Sequence, residues 1–203
     1  MIFGHLGVAS ALASRSRGPT GSVTFLALLL AAMTPDVVDT GYFLASFCSP
    51  YGLYSHTLYI VALEAGVVGG IALLVTGSRA MAVMFSLVVL LHAPADYFTG
   101  YKLTLPGGDL HGLDLYRKPW LDLMLELPTI AVGWWLLRRS GRGPAWARSP
   151  YSVILVLALQ IGFDGIAVAA GVQKPSGCSD ARPAGQPVAL VARRRVRHVS
   201  EVP

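Results

Sequence analysis

The stretch "AMAVMFSLVVLLHAPADYFT", Ala80 to Thr99, decides how the chain is read. As a helix it would be roughly 30 Å long, the thickness of a bilayer's hydrocarbon core, which about 17 to 25 apolar residues cross. Yet it carries His92 and Asp96, four residues apart and therefore on one helical face. An unpaired polar or ionised group in hydrocarbon costs several kcal/mol. The segment therefore predicts a membrane-spanning helix whose polar pair is satisfied by other parts of the fold.

Working outward, further apolar runs of spanning length occur at His56 to Thr76, Pro119 to Leu137 and Pro150 to Gly171. Another, Val23 to Phe47, is interrupted by "TPDVVD". Of the 203 residues 54% are apolar and 13% charged, about half the charged fraction of soluble domains. The expected architecture is an all-α polytopic membrane bundle of about five transmembrane spans, preceded by a short N-terminal helix. The first fourteen residues form that helix. Their arginines, Arg15 and Arg17, follow the apolar part, which does not suit a cleaved leader.

A net charge of +5 could suggest nucleic acid, but the cations collect in connecting segments and near the C-terminus, so no nucleic-acid partner is expected. They read instead as topology signals. "RRSGRGPAWAR" (Arg138 to Arg148) has four arginines and no acid, and Arg79 and Arg15 with Arg17 mark two more loops. These three belong on the cytoplasmic side, which puts Ser49 to Ser55 and Tyr101 to Lys118 outside. Trp120 and the Trp134, Trp135 pair stand near opposite ends of one run, as interfacial aromatics do. Cys48 and Cys178 are too few and scattered for a disulfide framework or a zinc knuckle. The chain divides into a helical membrane domain, 1–171, and a basic tail, 172–203, whose Pro, Gly and charge content reads as disordered.

The other polar residues in apolar runs repeat the opening pattern. Asp122 and Glu126 in "WLDLMLE" share a face, Asp36 and Asp39 lie about a turn apart, and His56 opens a run with Ser55 as the expected N-cap. His111 lies in the outer loop and His5 near the start. At 1.5 Å per residue, His92 and Asp96 stand roughly 20 and 26 Å from Arg79, and Glu126 and Asp122 roughly 18 and 24 Å from Arg138. The two pairs share one layer, and His56, Asp36, Asp39 and His5 can reach it. Any one of these groups could serve as a helix–helix hydrogen bond. Together, imidazoles and carboxylates at one depth suit a divalent metal, and more than one ion if all take part. Glu64 is either a supporting partner or a helix contact. Gln160 and Asp164 lack a histidine and read as structural. "GVVGG", Gly66 to Gly70, has the small-xxx-small form of closely packed membrane helices, and "PGG" at Pro106 to Gly108 reads as a turn.

His5, "PDVVD", "SHT", the "HxxxD" of "HAPAD" and a final acidic pair, in that order over roughly Met1 to Leu137, resemble the membrane-bound metal-dependent hydrolases, including the LexA-binding inner-membrane type. That family is similar in turn to zinc-dependent phospholipase C and the S1/P1 nucleases. The resemblance implies zinc, with His92 and Asp96 matching the first ligand pair, His56 the histidine before it, Asp36 or Asp39 the upstream aspartate and His5 the early histidine. Asp122 and Glu126 match a second pair in which aspartate replaces histidine, making manganese or magnesium more acceptable there. His111 is a looser match to an intervening histidine. It also implies residence in the inner (cytoplasmic) membrane of a bacterium or archaeon.

The expected activity is metal-dependent hydrolysis of a phosphoester, carried on a lipid reached from the outer leaflet. His5, His56, His92, Asp96, His111, Asp122 and Glu126 are the candidate metal ligands. Asp36 and Asp39 are the candidate catalytic groups, orienting water as base or completing the metal shell. Lys102, Arg117 and Lys118 are either phosphate contacts or headgroup anchors. Membrane lipids and a regulatory protein are the expected partners. The rival readings are an ion- or proton-coupled transporter, which would need polar residues to continue across the membrane, and a membrane regulatory or binding protein.

Overall fold

The computed structural model describes residues 3–16, 20–45, 54–100, 102–103, 105, 110–113, 115 and 118–169. Cys48, Cys178, Arg17, Arg117, the Pro106 to Gly108 turn and the basic tail lie outside them. The described part is all-α apart from a small ribbon. Its helices are α1 (Gly4–Ala13), α2 (Ser22–Ala32), α3 (Thr34–Leu44), α4 (Leu58–Thr76), α5 (Arg79–Leu90), α6 (His92–Thr99), α7 (Pro119–Ser140) and α8 (Pro150–Ala169), with a 3-10 turn at Tyr54–His56 before α4. The ribbon pairs β1 (Lys102–Leu103) with β2 (Leu110–His111), antiparallel, Lys102 opposite His111.

Three stretches are long and apolar enough to cross a membrane: α4, the nearly continuous α5 and α6 (Arg79–Thr99), and α7. The α2–α3 pair makes a fourth if counted as one span, broken by a 56° bend. The count among the described residues is therefore three to four, against the five expected. Pro150–Ile166 of α8, like α1, falls among the shorter apolar helices. The interruption expected at "TPDVVD" is this bend. Pro35 has no N–H to continue the α2 ladder, so the chain restarts as α3 with Pro35 in its first turn. Pro94 does the same more gently between α5 and α6, where Leu91 leaves the regular pattern.

The surface is what a lipid-facing bundle requires. Leu74, Val75 and Ile166 are among many large apolar side chains left outside. Inside, the core is made largely of small residues, including Ala9, Ala13, Ala32, Ala65 and Ala93, around Phe25, Leu28, Val61, Val88 and Val89. Small side chains let helices approach where burial against lipid offers little driving force. At the α1–α7 crossing a Cβ on Gly7 would meet the Thr129 carbonyl, and one on Gly133 would run into the backbone of Gly7. In the "GVVGG" segment Gly69 alone is closely approached, by Ser86 of α5, while Gly66 and Gly70 have open space. The Ser86 hydroxyl donates to the Ala65 carbonyl at 2.9 Å.

Two expectations at helix ends are corrected or refined. The residue before α4 is Thr57, not Ser55, and its side chain makes no capping bond; Ser55 is turned to another task described below. Lys118 precedes α7 and is exposed, and Trp120, the second residue of α7, is exposed too, while Arg138 and Arg139 lie over the rings of Trp134 and Trp135. α1, only ten residues long, has its buried face of Gly4, His5, Gly7, Ala9 and Ala13 packed against α7 and α2. It thereby carries His5 into the bundle.

Candidate metal centre

The breaks in α2–α3 and α5–α6 bring four side chains together. Asp36 comes from the first turn of α3, His56 from the turn before α4, and His92 and Asp96 from one face of α6. One ligand atom from each lies within 4.8 Å of all the others. His56 Nε2 is 3.0 Å from Asp96 Oδ2, 3.2 Å from His92 Nε2 and 3.3 Å from Asp36 Oδ1. His92 Nε2 is 3.5 Å from Asp96 Oδ2 and 3.6 Å from Asp36 Oδ1. A tetrahedral ion with bonds of about 2.0 to 2.1 Å sets its ligand atoms roughly 3.3 to 3.4 Å apart. The five distances bracket that edge length.

The hydrogen bonds around the two imidazoles show which nitrogen carries the proton. His92 Nδ1 lies 2.8 Å from the carbonyl of Ala32, which can only accept, so Nδ1 donates and Nε2 keeps a lone pair. Ala32 is the last residue of α2, and its carbonyl is available because the helix stops there. His56 Nδ1 lies 2.9 Å from Ser55 Oγ and 3.3 Å from Asp39 Oδ2. Ser55 spends its own hydroxyl proton on Asp39 Oδ1, so His56 Nδ1 is again the donor. Both Nε2 lone pairs therefore point at each other and at two carboxylates. Four acceptors converge where a cation would sit, and a divalent ion would cancel the charge of the two carboxylates in a region that disfavours net charge.

The remaining candidates surround this group. His5 Nε2 lies 3.2 Å from Asp96 Oδ1, the oxygen turned away from the other three ligands. Its ring stacks on His92 with centroids 3.7 Å apart. Asp39 faces His56 Nδ1, the role in which a carboxylate orients a metal-binding histidine. Glu126, fully buried in α7, accepts the N–H groups of Phe3 and Gly4 with Oε2, each at 3.1 Å. The start of α1 has no side-chain cap of its own, so Glu126 supplies one from another helix. Asp122 is buried one turn away on the same face, and His111 is exposed on β2. Among the described residues no second group of three such ligands comes together, and Asp122, Glu126 and His111 stand outside the four. Glu64, half-buried on α4, has both carboxylate oxygens shielded and without a hydrogen-bond partner. Gln160 donates to Asp164 within α8, both buried.

Two participants were not anticipated from sequence. Ser55 links His56 to Asp39, and its position beside His56 in "SHT" was the available sign. The Ala32 carbonyl is backbone and has no side-chain signature. No family model, curated protein or solved structure matches this chain.

Proposed function

We propose that this is a membrane-embedded hydrolase that uses one divalent metal, most simply zinc, to cleave a phosphoester carried on a lipid. The observation that carries the reading is the unequal exposure of the four ligands. The His56, His92 and Asp96 side chains are 0 to 2% exposed, whereas that of Asp36 is 33% exposed. Three closed ligands and one open edge match catalytic zinc sites, which have three protein ligands and a position open to water or substrate. In such a site the ion acts as a Lewis acid and lowers the pKa of bound water toward about 7. His56, His92 and Asp96 would hold the ion, and Asp36, at the open edge, is placed to accept a proton from water there. Asp39, Ser55 and the Ala32 carbonyl fix the two imidazoles, and His5 fixes Asp96. The phosphoester substrate follows from the resemblance to the membrane-bound hydrolases and from a site among apolar helices. On this reading α8 is the fifth span, and the inner membrane is its location.

Purified protein stripped with a chelator should regain one zinc per chain and unfold at a higher temperature when it does. The loaded protein should hydrolyse a phosphodiester or lipid phosphoester, and His92→Ala should do neither. Stoichiometric zinc binding with no hydrolysis across a broad phosphoester panel would leave a structural metal site and remove the enzyme. Glu64 favours one rival. It lies about 9 Å along α4 from Leu58, the first residue of that helix, and its unpartnered oxygens are what an ion or proton path would use. Proteoliposomes that pass protons or divalent ions, and stop doing so with Glu64→Gln, would establish the transporter instead.

A further inference from the structure

At the opposite end of the bundle from the metal centre, two apolar grooves meet at one arginine. The first, about 760 Å³, runs between the end of α1, α2 and the α4–α5 junction. Its apolar wall includes Leu12, Met81, Met84 and Leu87, and its polar end is formed by Arg15, Thr24, Thr76, Ser78 and Arg79. The second, about 540 Å³, follows α1 and α7 past Val8, Ala11, Leu91, Val132 and Leu136. Leu12 and Arg15 line both. None of the residues lining either groove is acidic, so the two guanidiniums face no carboxylate there.

The segment carrying Arg15 is tied down. Arg142, in the loop after α7, donates to the Ser16 carbonyl, and its own carbonyl accepts the Thr20 N–H at 2.6 Å. Arg15 lies two residues past the end of α1, Thr76 ends α4 and Arg79 begins α5, so the polar end sits at the level of the helix ends, where headgroups lie. Basic pockets between membrane helices bind anionic lipid headgroups, and cavities of about 300 to 1,000 Å³ suit small ligands.

From these features we infer that the junction is a binding site for one anionic diacyl phospholipid. Arg15 and Arg79 hold its phosphate, with the Ser78 and Thr24 hydroxyls at the same end, and one acyl chain lies in each groove. A free phosphate would account for the arginines alone. The forked apolar surface beginning at Leu12 accounts for two chains. The inference does not depend on the metal centre, which lies roughly 20 Å from Arg79 along the α5–α6 helix.

The test is thermal unfolding of the full chain in mild detergent, titrated separately with phosphatidylglycerol, phosphatidylcholine of the same acyl chains, and inorganic phosphate. Phosphatidylglycerol should raise the midpoint at concentrations at least about ten-fold below those phosphatidylcholine needs, and phosphate should not raise it. Replacing both arginines, Arg15→Gln with Arg79→Gln, should weaken the phosphatidylglycerol effect by about thirty-fold. Leu12→Trp, which fills the junction and leaves both charges, should weaken it too. Equal responses to the two lipids would overturn the inference, as would a response to phosphate alone or an unchanged double variant. If the double variant does not fold, native mass spectrometry of the wild type decides. One phosphatidylglycerol retained per chain after phosphatidylcholine is lost supports the site, and the reverse order of loss overturns it.

Discussion

Ser55 Oγ accepts the Nδ1 proton of His56 at 2.9 Å because its own hydroxyl proton goes to Asp39, so it is Asp39, through Ser55 and from 3.3 Å, that determines which ring nitrogen faces Asp36 and Asp96. Its contribution to metal binding is indirect. Asp39→Ala should weaken zinc binding by about 10 to 100-fold, the usual loss when a residue orienting a ligand is removed. His56→Ala should cost more, since it removes a ligand. Competition titration against a chromogenic chelator measures both, and a wild-type affinity for Asp39→Ala would show that Ser55 alone suffices.

Glu126 and His92 can be separated by the same pair of measurements. Glu126→Gln removes the negative charge from the start of α1, where it meets two N–H groups and the positive end of the helix dipole, and should cost about 1 kcal/mol. That loss should be equal with and without zinc. In His92→Ala the zinc-dependent increment itself should vanish, whereas for wild type it is about 2.7 kcal/mol at a free zinc concentration of 100 times Kd. Denaturant unfolding with and without the ion reads both. If Glu126→Gln abolishes the increment and leaves metal-free stability unchanged, Glu126 is a ligand rather than a cap.

Glycines in similar helical settings should respond in opposite ways. Gly133→Ala would place a methyl group on the backbone of Gly7 and force α1 away from α7, an overpacking cost of about 1 to 3 kcal/mol. Gly66→Ala and Gly70→Ala meet nothing within 4 Å and should be neutral or slightly stabilising, because alanine is the better helix former. Hydrogen exchange should show α1 opening first in Gly133→Ala. Uniform effects at all three positions would mean that the crossing is looser than described.

The arginine-rich loops predict sidedness. Gly143 is a poor reporter position, because it is buried against Leu137. Ala145 and Leu113 are exposed. Ala145→Cys should react with a membrane-impermeant thiol reagent only after the cytoplasmic face is opened, and Leu113→Cys in intact cells. The reverse pattern would turn the metal centre toward the cytoplasm and favour a regulatory role.

The convergence of Asp36, His56, His92 and Asp96 was legible because polar residues in apolar runs are costly and rarely idle, and helical spacing told which of them share a face. His92 with Asp96, and Asp36 about a turn from Asp39, needed only local geometry. The same spacing in Asp122 and Glu126 predicted ligands, yet the structure turns the Glu126 carboxylate to the start of α1. Spacing within one helix does not say which element will lie across from it. Ser55 shows the same gap at shorter range, since a serine before an apolar run suits an N-cap equally well until the start of α4 is known. Apolar run length did not show that the α2–α3 segment bends, nor that Pro150–Ile166 of α8 falls among the shorter apolar helices.

The bend at Met33 has a thermodynamic consequence. The Ala32 carbonyl is available to His92 because α2 ends there, and a straightened Ser22–Leu44 helix would draw that carbonyl into its own ladder and leave Nδ1 of His92 without its acceptor. Helix shape and ion occupancy are then two sides of one equilibrium, and their coupling is reciprocal. Whatever factor straightening takes from the affinity, a bound ion must return as resistance to straightening. Pro35→Ala, which changes none of the four side chains although it directly precedes Asp36, would therefore be felt at the ion.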